Sequence, residues 1–466
     1  MLLTLAAALA IVVQDRTPLR AAPSARATEL TTLWQGEVLE VREERAAYLK
    51  VYNYHRERGG YVKTEAVRAI NLNDAEAPAL LAVLRFLRDS AGSEALGISY
   101  GAAYLKAAPA GTPTAEPLDA IARMAERLAD AASGNGVRHA DVAAHLEVVA
   151  QFGIQMHSFD RNGGVQVCYD GELYRQVLSL PRVSGEVRAH AVLGLTRPDC
   201  IDPGLGILQR AWLDEQRHEL LEGVEERALN AMMRNRLHAR RAAVWAAVAY
   251  EQARRGQPPQ AAGQRALAEL VAVHPQELGE DHRAEYLDAL VRVGAIRWAA
   301  ATSKPQVGPL ILTTQPGKPG QTCLVLAEAQ RPASPVLSRC TYGVVWTASA
   351  QSLAHGRALV LAVQPLESWC ELWVFHESIG GWTVDVLSPG ADDPEEGYVE
   401  FAGFAPGTER LLIVREVKER NRFRRRFEEL RMEDLIPVRQ ASTPELLADF
   451  GRWQDPAWRR DTLALH

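Results

Sequence analysis

The spacing of apolar residues changes twice along the chain, and no single layer of secondary structure fits all three regimes. From Ile11 to about residue 70 apolar and polar residues alternate in short runs, as in Gly36-Glu37-Val38-Leu39-Glu40-Val41 and Tyr48-Leu49-Lys50-Val51-Tyr52. From Asn73 to Ala301 they recur at helical spacing, as in Leu80, Leu81, Leu84 and Leu87, or Leu118, Ile121, Met124 and Leu128. From residue 306 the alternation returns, in Cys323 to Ala327, Gly343 to Trp346, Ala358 to Val363, Trp369 to Phe375, Trp382 to Val386 and Leu411 to Val417. A period of two places alternate side chains on one face of a strand, and a period of 3.6 places them on one stripe of a helix. The pattern predicts a multidomain α+β chain. It has a small N-terminal β-barrel at 11–70, a central all-α helical-hairpin domain at 74–302, an antiparallel β domain at 306–440 and a C-terminal tail at 441–466.

Several helices are predicted individually, over Ala77 to Leu87, Pro117 to Ala131, Ala140 to Met156, Arg234 to Arg255, Gln264 to Val273 and Asp281 to Ala300. Short polar breaks between them imply antiparallel neighbours. The hairpin from Arg241 to His274 lacks the fixed Ala, aromatic and Pro positions of a tetratricopeptide repeat.

Hydrophobic residues make up 47% of the 466 positions and charged residues 24%, which excludes wholesale disorder, a collagenous fibre and a multi-pass membrane protein. Lys and Arg number 52 against 58 Asp and Glu, so no basic excess calls for nucleic acid. Leu2 to Val13 is an uncharged apolar run, too short to cross a bilayer, which takes about 20 residues. It fits the apolar region of a secretory signal. Ala8-Leu9-Ala10 has the small-x-small form cut by signal peptidase, which makes 1–10 a signal-peptide remnant. No basic residue precedes the run, so this reading places the true start upstream. The other reading is a first buried strand.

Five cysteines, Cys168, Cys200, Cys323, Cys340 and Cys370, contain no C-x-x-C, which leaves zinc ribbons and thioredoxin-type sites without support. Two local disulfides are predicted, Cys168–Cys200 and Cys323–Cys340. Arg331-Pro332-Ala333-Ser334-Pro335 turns the chain between the strands that carry the second pair. Cys370 shares a strand face with Leu372 and Val374 and is expected to be a buried thiol. The pairs point to an oxidising compartment, periplasmic or otherwise exported.

Residues 11–70 resemble the bacterial Src-homology-3-like domain. The matching features, in order, are the loop Leu19 to Ser24, the strand Gly36 to Val41, the strand Tyr48 to Val51, and Gly60-Tyr61-Val62. The closing motif has Tyr61 where the family usually has Trp, and Ala22 stands where a Gly commonly precedes the Pro. The resemblance implies a bacterial envelope setting and a peptide or cell-wall ligand. By parity Tyr48, Lys50, Tyr52 and Tyr54 share one strand face. Trp34, Tyr52, Tyr54 and Tyr61 are the candidate ligand-binding residues; the alternative is that they pack on the helical domain.

No catalytic, metal or cofactor motif stands up. Gly97-Ile98-Ser99-Tyr100-Gly101 matches G-x-S-x-G, but its flanks are helical where a nucleophile elbow needs a strand before the turn. Val167-Cys168-Tyr169-Asp170 is not the D-C-S context of cysteine–histidine cell-wall peptidases. His218-Glu219-Leu220-Leu221-Glu222 fails as H-E-x-x-H, and Gly317-Lys318-Pro319-Gly320 has the wrong length for a Walker loop. His190, His218 and His238 have no partner at ligand spacing. Arg415 to Arg426 is read as a charged β-hairpin, and the strand with Trp369, Trp373 and Phe375 on one face as core. The resulting expectation is an exported envelope protein that binds or scaffolds, partnered by a peptide, protein or cell-wall component and without a transmembrane span. The alternative is a peptidoglycan hydrolase with an unrecognised active site.

Overall fold

The computed structural model describes residues 8–133, 140–161, 163–301, 305–390, 396–419, 422–456 and 458–459. Met1 to Ala7 of the expected leader, the centre of the acidic segment at 392–395 and the hairpin turn at 420–421 lie outside them. The chain forms two compact units, one of residues up to Leu205 with Gly223–Leu229, the other of Gly206–Glu222 with Asn230 onward. The helical stretch 74–302 is thus shared between two units instead of forming one of its own.

The first unit opens with β1 (Ala8–Val12), β2 (Thr17–Arg20), β3 (Glu29–Leu33), β4 (Val38–Arg45), β5 (Tyr48–Asn53), β6 (Arg58–Lys63) and β7 (Val67–Ile70). They make one sheet in the order β3-β2-β6-β5-β4-β1-β7. Ala10, Val12, Leu19, Leu33, Leu39, Leu49, Val51, Val62 and Val67 form its core, drawn from every strand. The predicted barrel is not closed, because β3 and β7 end the sheet without pairing. The outer surface of its last strands is instead covered by α1 (Ala77–Arg88) and α2 (Glu94–Ala107), where Ile11 and Ile70 pack with Leu80, Leu87, Tyr100 and Tyr104. β1 is a central strand buried on both faces, with Ala10 paired to both Leu39 and Ala69. It begins at Ala8, ahead of the expected Ile11, so a cut after Ala10 would remove Ala8, Leu9 and Ala10 from the middle of the sheet.

Next come α3 (Ala115–Ala132), α4 (Ala140–Ala150), β8 (Met156–Arg161), β9 (Gly164–Tyr169), α5 (Glu172–Ser179) and α6 (Gly185–Leu195). The region is therefore not all-α: the predicted helix to Met156 stops at Ala150, and Gly153 at φ +80° carries the turn into the β8–β9 hairpin. Leu84, Ile98, Ile121, Met124, Leu128 and Val149 form the helical core. Burial of each such side chain contributes about 1.5–3 kcal/mol. Cys168 on β9 is bonded to Cys200 in the loop after α6, Cα atoms 5.7 Å apart.

The second unit begins with α7 (Ile207–Glu222), α8 (Ala231–Arg254), α9 (Gln260–Val271) and α10 (Glu280–Ile296). Asn230 caps α8 by accepting from the Met233 amide at 2.9 Å. Three antiparallel strands follow, β10 (Leu310–Pro316), β11 (Thr322–Glu328) and β12 (Pro335–Thr341). A larger sheet holds two four-stranded meanders, β13 (Val344–Leu353), β14 (Ala358–Leu366), β15 (Trp369–Ser378) and β16 (Gly381–Leu387), then β17 (Glu396–Ala405), β18 (Arg410–Glu419), β19 (Arg422–Arg431) and β20 (Pro437–Ala441). The pairing is antiparallel except where Trp369 and Cys370 run parallel to Gly397 and Tyr398.

The sheets stack. Leu324 and Leu326 of the three-stranded sheet pack on Leu359, Leu361, Trp373 and Phe375 of the first meander. The opposite face of that meander, with Val360, Leu372 and Val374, packs on Val399, Leu411 and Ile413 of the second. β14 is buried on both faces, which is why Ala358 to Val363 reads as an unbroken apolar run. The far face of the second meander is covered by α11 (Ala448–Trp453) and Trp458, with Phe450 fully buried. Residues 441–456 and 458–459, expected to form a tail, are thus built into the unit. The basic hairpin forms as predicted, β18 against β19, but its acidic partners Glu416, Glu428 and Glu429 are buried instead of facing solvent.

Cys323 and Cys340 form the second disulfide, and Cys370 is the free, buried cysteine. Among the described residues no helix is long and apolar enough to cross a membrane.

Candidate functional site

On β5 the side chains alternate as the sequence implies: Leu49, Val51 and Asn53 are buried, while Tyr48, Lys50 and Tyr52 point outward. The register sets Tyr52 opposite Glu40 on β4 and Gly59 on β6. Gly59 leaves room for the Tyr52 ring, since a Cβ there would sit 3.3 Å from the Tyr52 ring edge. Tyr52 and Tyr54 meet edge to face with ring centroids 5.0 Å apart. The Arg42 guanidinium lies 4.3 Å from the Tyr52 ring centre. Arg42 Nε and the Tyr54 hydroxyl both donate to Glu40 Oε2, at 3.0 and 3.1 Å. The Arg42 hydrogen bond, supported by that from Tyr54, holds the Glu40 carboxyl below its ordinary range. Tyr54 is 65% exposed. Tyr61 stands on the next strand, opposite Lys50 and Arg20. The result is an aromatic surface with a fixed carboxylate and guanidinium, suited to stacking and hydrogen bonding at once.

Trp34 does not join this face. Its ring lies edge-on to His145 of α4 at 6.2 Å and, partly buried, packs against the helical core. His145 Nε2 is in turn 2.8 Å from Asp15 Oδ1. The candidate set therefore divides, with Tyr52 and Tyr54 together, Tyr61 beside them, and Trp34 in a packing role.

Sequence reasoning passed over Glu37, the fully buried hub beneath the tyrosines. Its carboxylate accepts from the Trp34 amide at 2.9 Å, Asn53 Nδ2 at 2.5 Å, and Arg56 Nη2 and Nε at 2.8 and 3.0 Å. It fixes the end of β5 from which Tyr54 projects. Its signal was an acidic residue directly before a strand, which reads as turn chemistry until the Arg56 partner is known.

The G-x-S-x-G match lies inside α2. Ser99 is buried, its hydroxyl has no hydrogen-bond partner, and no strand feeds it. The glycines serve packing: a Cβ at Gly101 would stand 2.5 Å from Ile121 of α3, and one at Gly97 would collide with Met124. His190 lies 3.6 Å from Asp119, His238 2.6 Å from Glu269, and the His218 ring 4.3 Å from that of Trp245. Among the described residues no group of three or more His, Cys, Asp or Glu is arranged to hold a metal ion.

The second unit contains a buried ionic network. Arg292 bridges Asp288, Glu367 and Glu396, and Lys418 reaches Asp288 and Glu396 at 3.3 Å each. Burial pushes the Glu396 carboxyl up to about 7. Burial also opposes charge on Asp288, but Arg292 and Lys418 outweigh it and hold that group well below the carboxylate range. Two carboxyls set apart in this way resemble an acid–base pair. Here each of their four oxygens already faces a cation, which is the arrangement of a structural network. Burial raises the Cys370 thiol far above its ordinary value, so it stays protonated and unreactive.

No family model matches the chain, and neither a curated protein nor a solved structure matches it. The likeness of residues 11–70 to the bacterial Src-homology-3-like domain rests on the sequence pattern alone.

Proposed function

We propose that this is an exported bacterial envelope protein whose N-terminal sheet binds a peptide or cell-wall component, and that it acts as a binding or scaffolding module without catalysis. The observation that carries the reading is the Tyr52–Tyr54 pair, one ring at the end of β5 and the other in the turn after it, with Arg42 over Tyr52 and Glu40 accepting from Tyr54. Aromatic rings fixed in place lose little conformational freedom on binding, so stacking energy there is retained as affinity. The two disulfides support export, because such bonds persist in oxidising compartments. Any leader is cut upstream of Ala8, which keeps β1 whole.

Co-sedimentation of the full chain with purified peptidoglycan sacculi tests the reading. Binding that is lost in Tyr54→Ala supports it. Absence of binding, or release of soluble fragments from the sacculi by the pure protein, overturns it, the latter in favour of a cell-wall hydrolase.

A further inference from the structure

We propose that the second unit holds a separate binding cavity for a carboxylate-bearing sugar. A cavity of about 600 Å³ opens where the C-terminal end of α8 meets the turn after β12. That volume falls within the roughly 300–1,000 Å³ of small-molecule sites. Arg254 and Arg255 line it from the helix, Trp298 from the turn after α10, Thr314 and Thr322 from the three-stranded sheet, and Tyr342 from the β12–β13 turn. Among the described residues no acidic side chain lines it, although acidic residues outnumber basic ones in the whole chain. The lining is therefore electropositive against the trend of the molecule.

Arg254 lies over the Tyr250 ring at 5.7 Å, and the ion pairs of both arginines are long. Both approach Glu251, one turn earlier, at 3.8 and 3.9 Å, the outer limit of ion pairing. One Glu251 oxygen has no hydrogen-bond partner. Guanidinium N–H groups thus remain for a ligand, and two adjacent forks suit a planar carboxylate. Part of their role is to offset the negative end of the α8 dipole. That role does not require the aromatic and hydroxyl groups facing them. Tyr342 is 60% exposed, and Trp298 is half-buried with Arg297 on its ring. Flat rings beside threonine hydroxyls match a pyranose, which presents C–H bonds on one face and hydroxyls at its edge. A phosphate would use the arginines and leave the rings idle.

The walls are set before binding. A Cβ at Gly343 would stand 2.7 Å from the Gln364 carbonyl, so the Tyr342 turn is pressed directly on β14. Thr322 precedes Cys323, and Tyr342 follows two residues after Cys340, so the disulfide ties two lining residues into one frame.

Calorimetric titration of the full chain with N-acetylmuramic acid and glucuronic acid, against N-acetylglucosamine, glucose and inorganic phosphate, tests the proposal. Both carboxylated sugars, or one of them, should bind while the neutral sugars and phosphate do not. The arm that binds identifies the source as cell-wall or other acidic glycan. Arg254→Gln with Arg255→Gln should weaken binding about tenfold or more. Tyr342→Ala should weaken it with an unchanged melting temperature. Tyr54→Ala should leave it intact, which separates this cavity from the tyrosine face. The proposal is overturned if no carboxylated sugar binds, if neutral sugars or phosphate bind equally well, or if folded Arg and Tyr342 variants bind like the parent.

Discussion

Cys323 on β11 and Cys340 on β12 stand directly opposite each other in the strand register, bonded through their sulfurs with Cα atoms 3.8 Å apart. The bridge closes a loop with a sequence separation of 17, and removing it by Cys323→Ser with Cys340→Ser should destabilise the second unit by about 3 kcal/mol. In unreduced, denatured protein an alkylating reagent should label Cys370 alone. Mass spectrometry that found three labelled cysteines before reduction would contradict one pairing, and five would contradict both.

Trp34 and Tyr54 should respond oppositely to truncation. Trp34→Ala removes a ring packed against the helical core and should cost about 3 kcal/mol. Tyr54→Ala removes an exposed ring and should change stability by less than about 0.5 kcal/mol. Urea unfolding of the two variants checks this, and a large loss in Tyr54→Ala would assign that ring to packing.

The helix with G-x-S-x-G gives a third contrast. Gly101→Ala forces a methyl against Ile121 and should destabilise by about 1–3 kcal/mol. Ser99→Ala removes a buried hydroxyl that has no partner and improves helix propensity, so stability should hold or rise. Thermal melts of both variants decide it, with a Ser99→Ala loss above that of Gly101→Ala as the contrary result.

Glu396 should tilt the pH dependence of stability. Its carboxyl ionises at about 4.5 in the unfolded chain and about 7 in the folded one. Between those values the folded state binds the extra proton, so this group's contribution falls as pH rises from 4.5 to 7 and is flat above. Glu396→Gln should flatten that part of the profile relative to the parent. A parallel profile in chemical denaturation across pH 4–8 would count against the assignment.

The strands and long helices were legible because their periodicity is set by which side chains must be buried. α1, α3 and α8 were readable within a few residues for that reason, as was the β18–β19 hairpin. Three features were hidden for physical reasons. α2 is packed on several sides and carries Gly97 and Gly101 at its contact, so it shows no apolar stripe. The β8–β9 hairpin alternates weakly, and its strands follow a helix whose apolar residues merge into theirs. Closure of the barrel depends on whether β3 meets β7, and alternation within strands carries no information on that pairing. Of the candidate site, the outward turn of Tyr52 followed from parity on β5, whereas Tyr54 falls one residue beyond the strand and meets Tyr52 from the turn. Trp34 was misplaced because nearness in sequence does not fix which way a ring turns. The cavity in the second unit gathers residues more than 80 positions apart, such as Arg254 and Tyr342, which no local motif can announce.

The chain leaves the first unit at Leu205, returns at Gly223 and leaves again after Leu229. Val224 and Leu229 are buried in that return, and Ala228 lies against Gly185 so closely that a Cβ there would stand 2.5 Å away. No single scissor cut therefore divides the gene into two self-sufficient halves. A fragment ending at 205 has a hole where these seven residues belong. One starting at 206 carries Gly223–Leu229 as a segment whose two buried apolar side chains, Val224 and Leu229, lack the unit they belong to. Exchanging either unit with another protein would take three breakpoints, after Leu205, Glu222 and Leu229, because the chain crosses between the units three times.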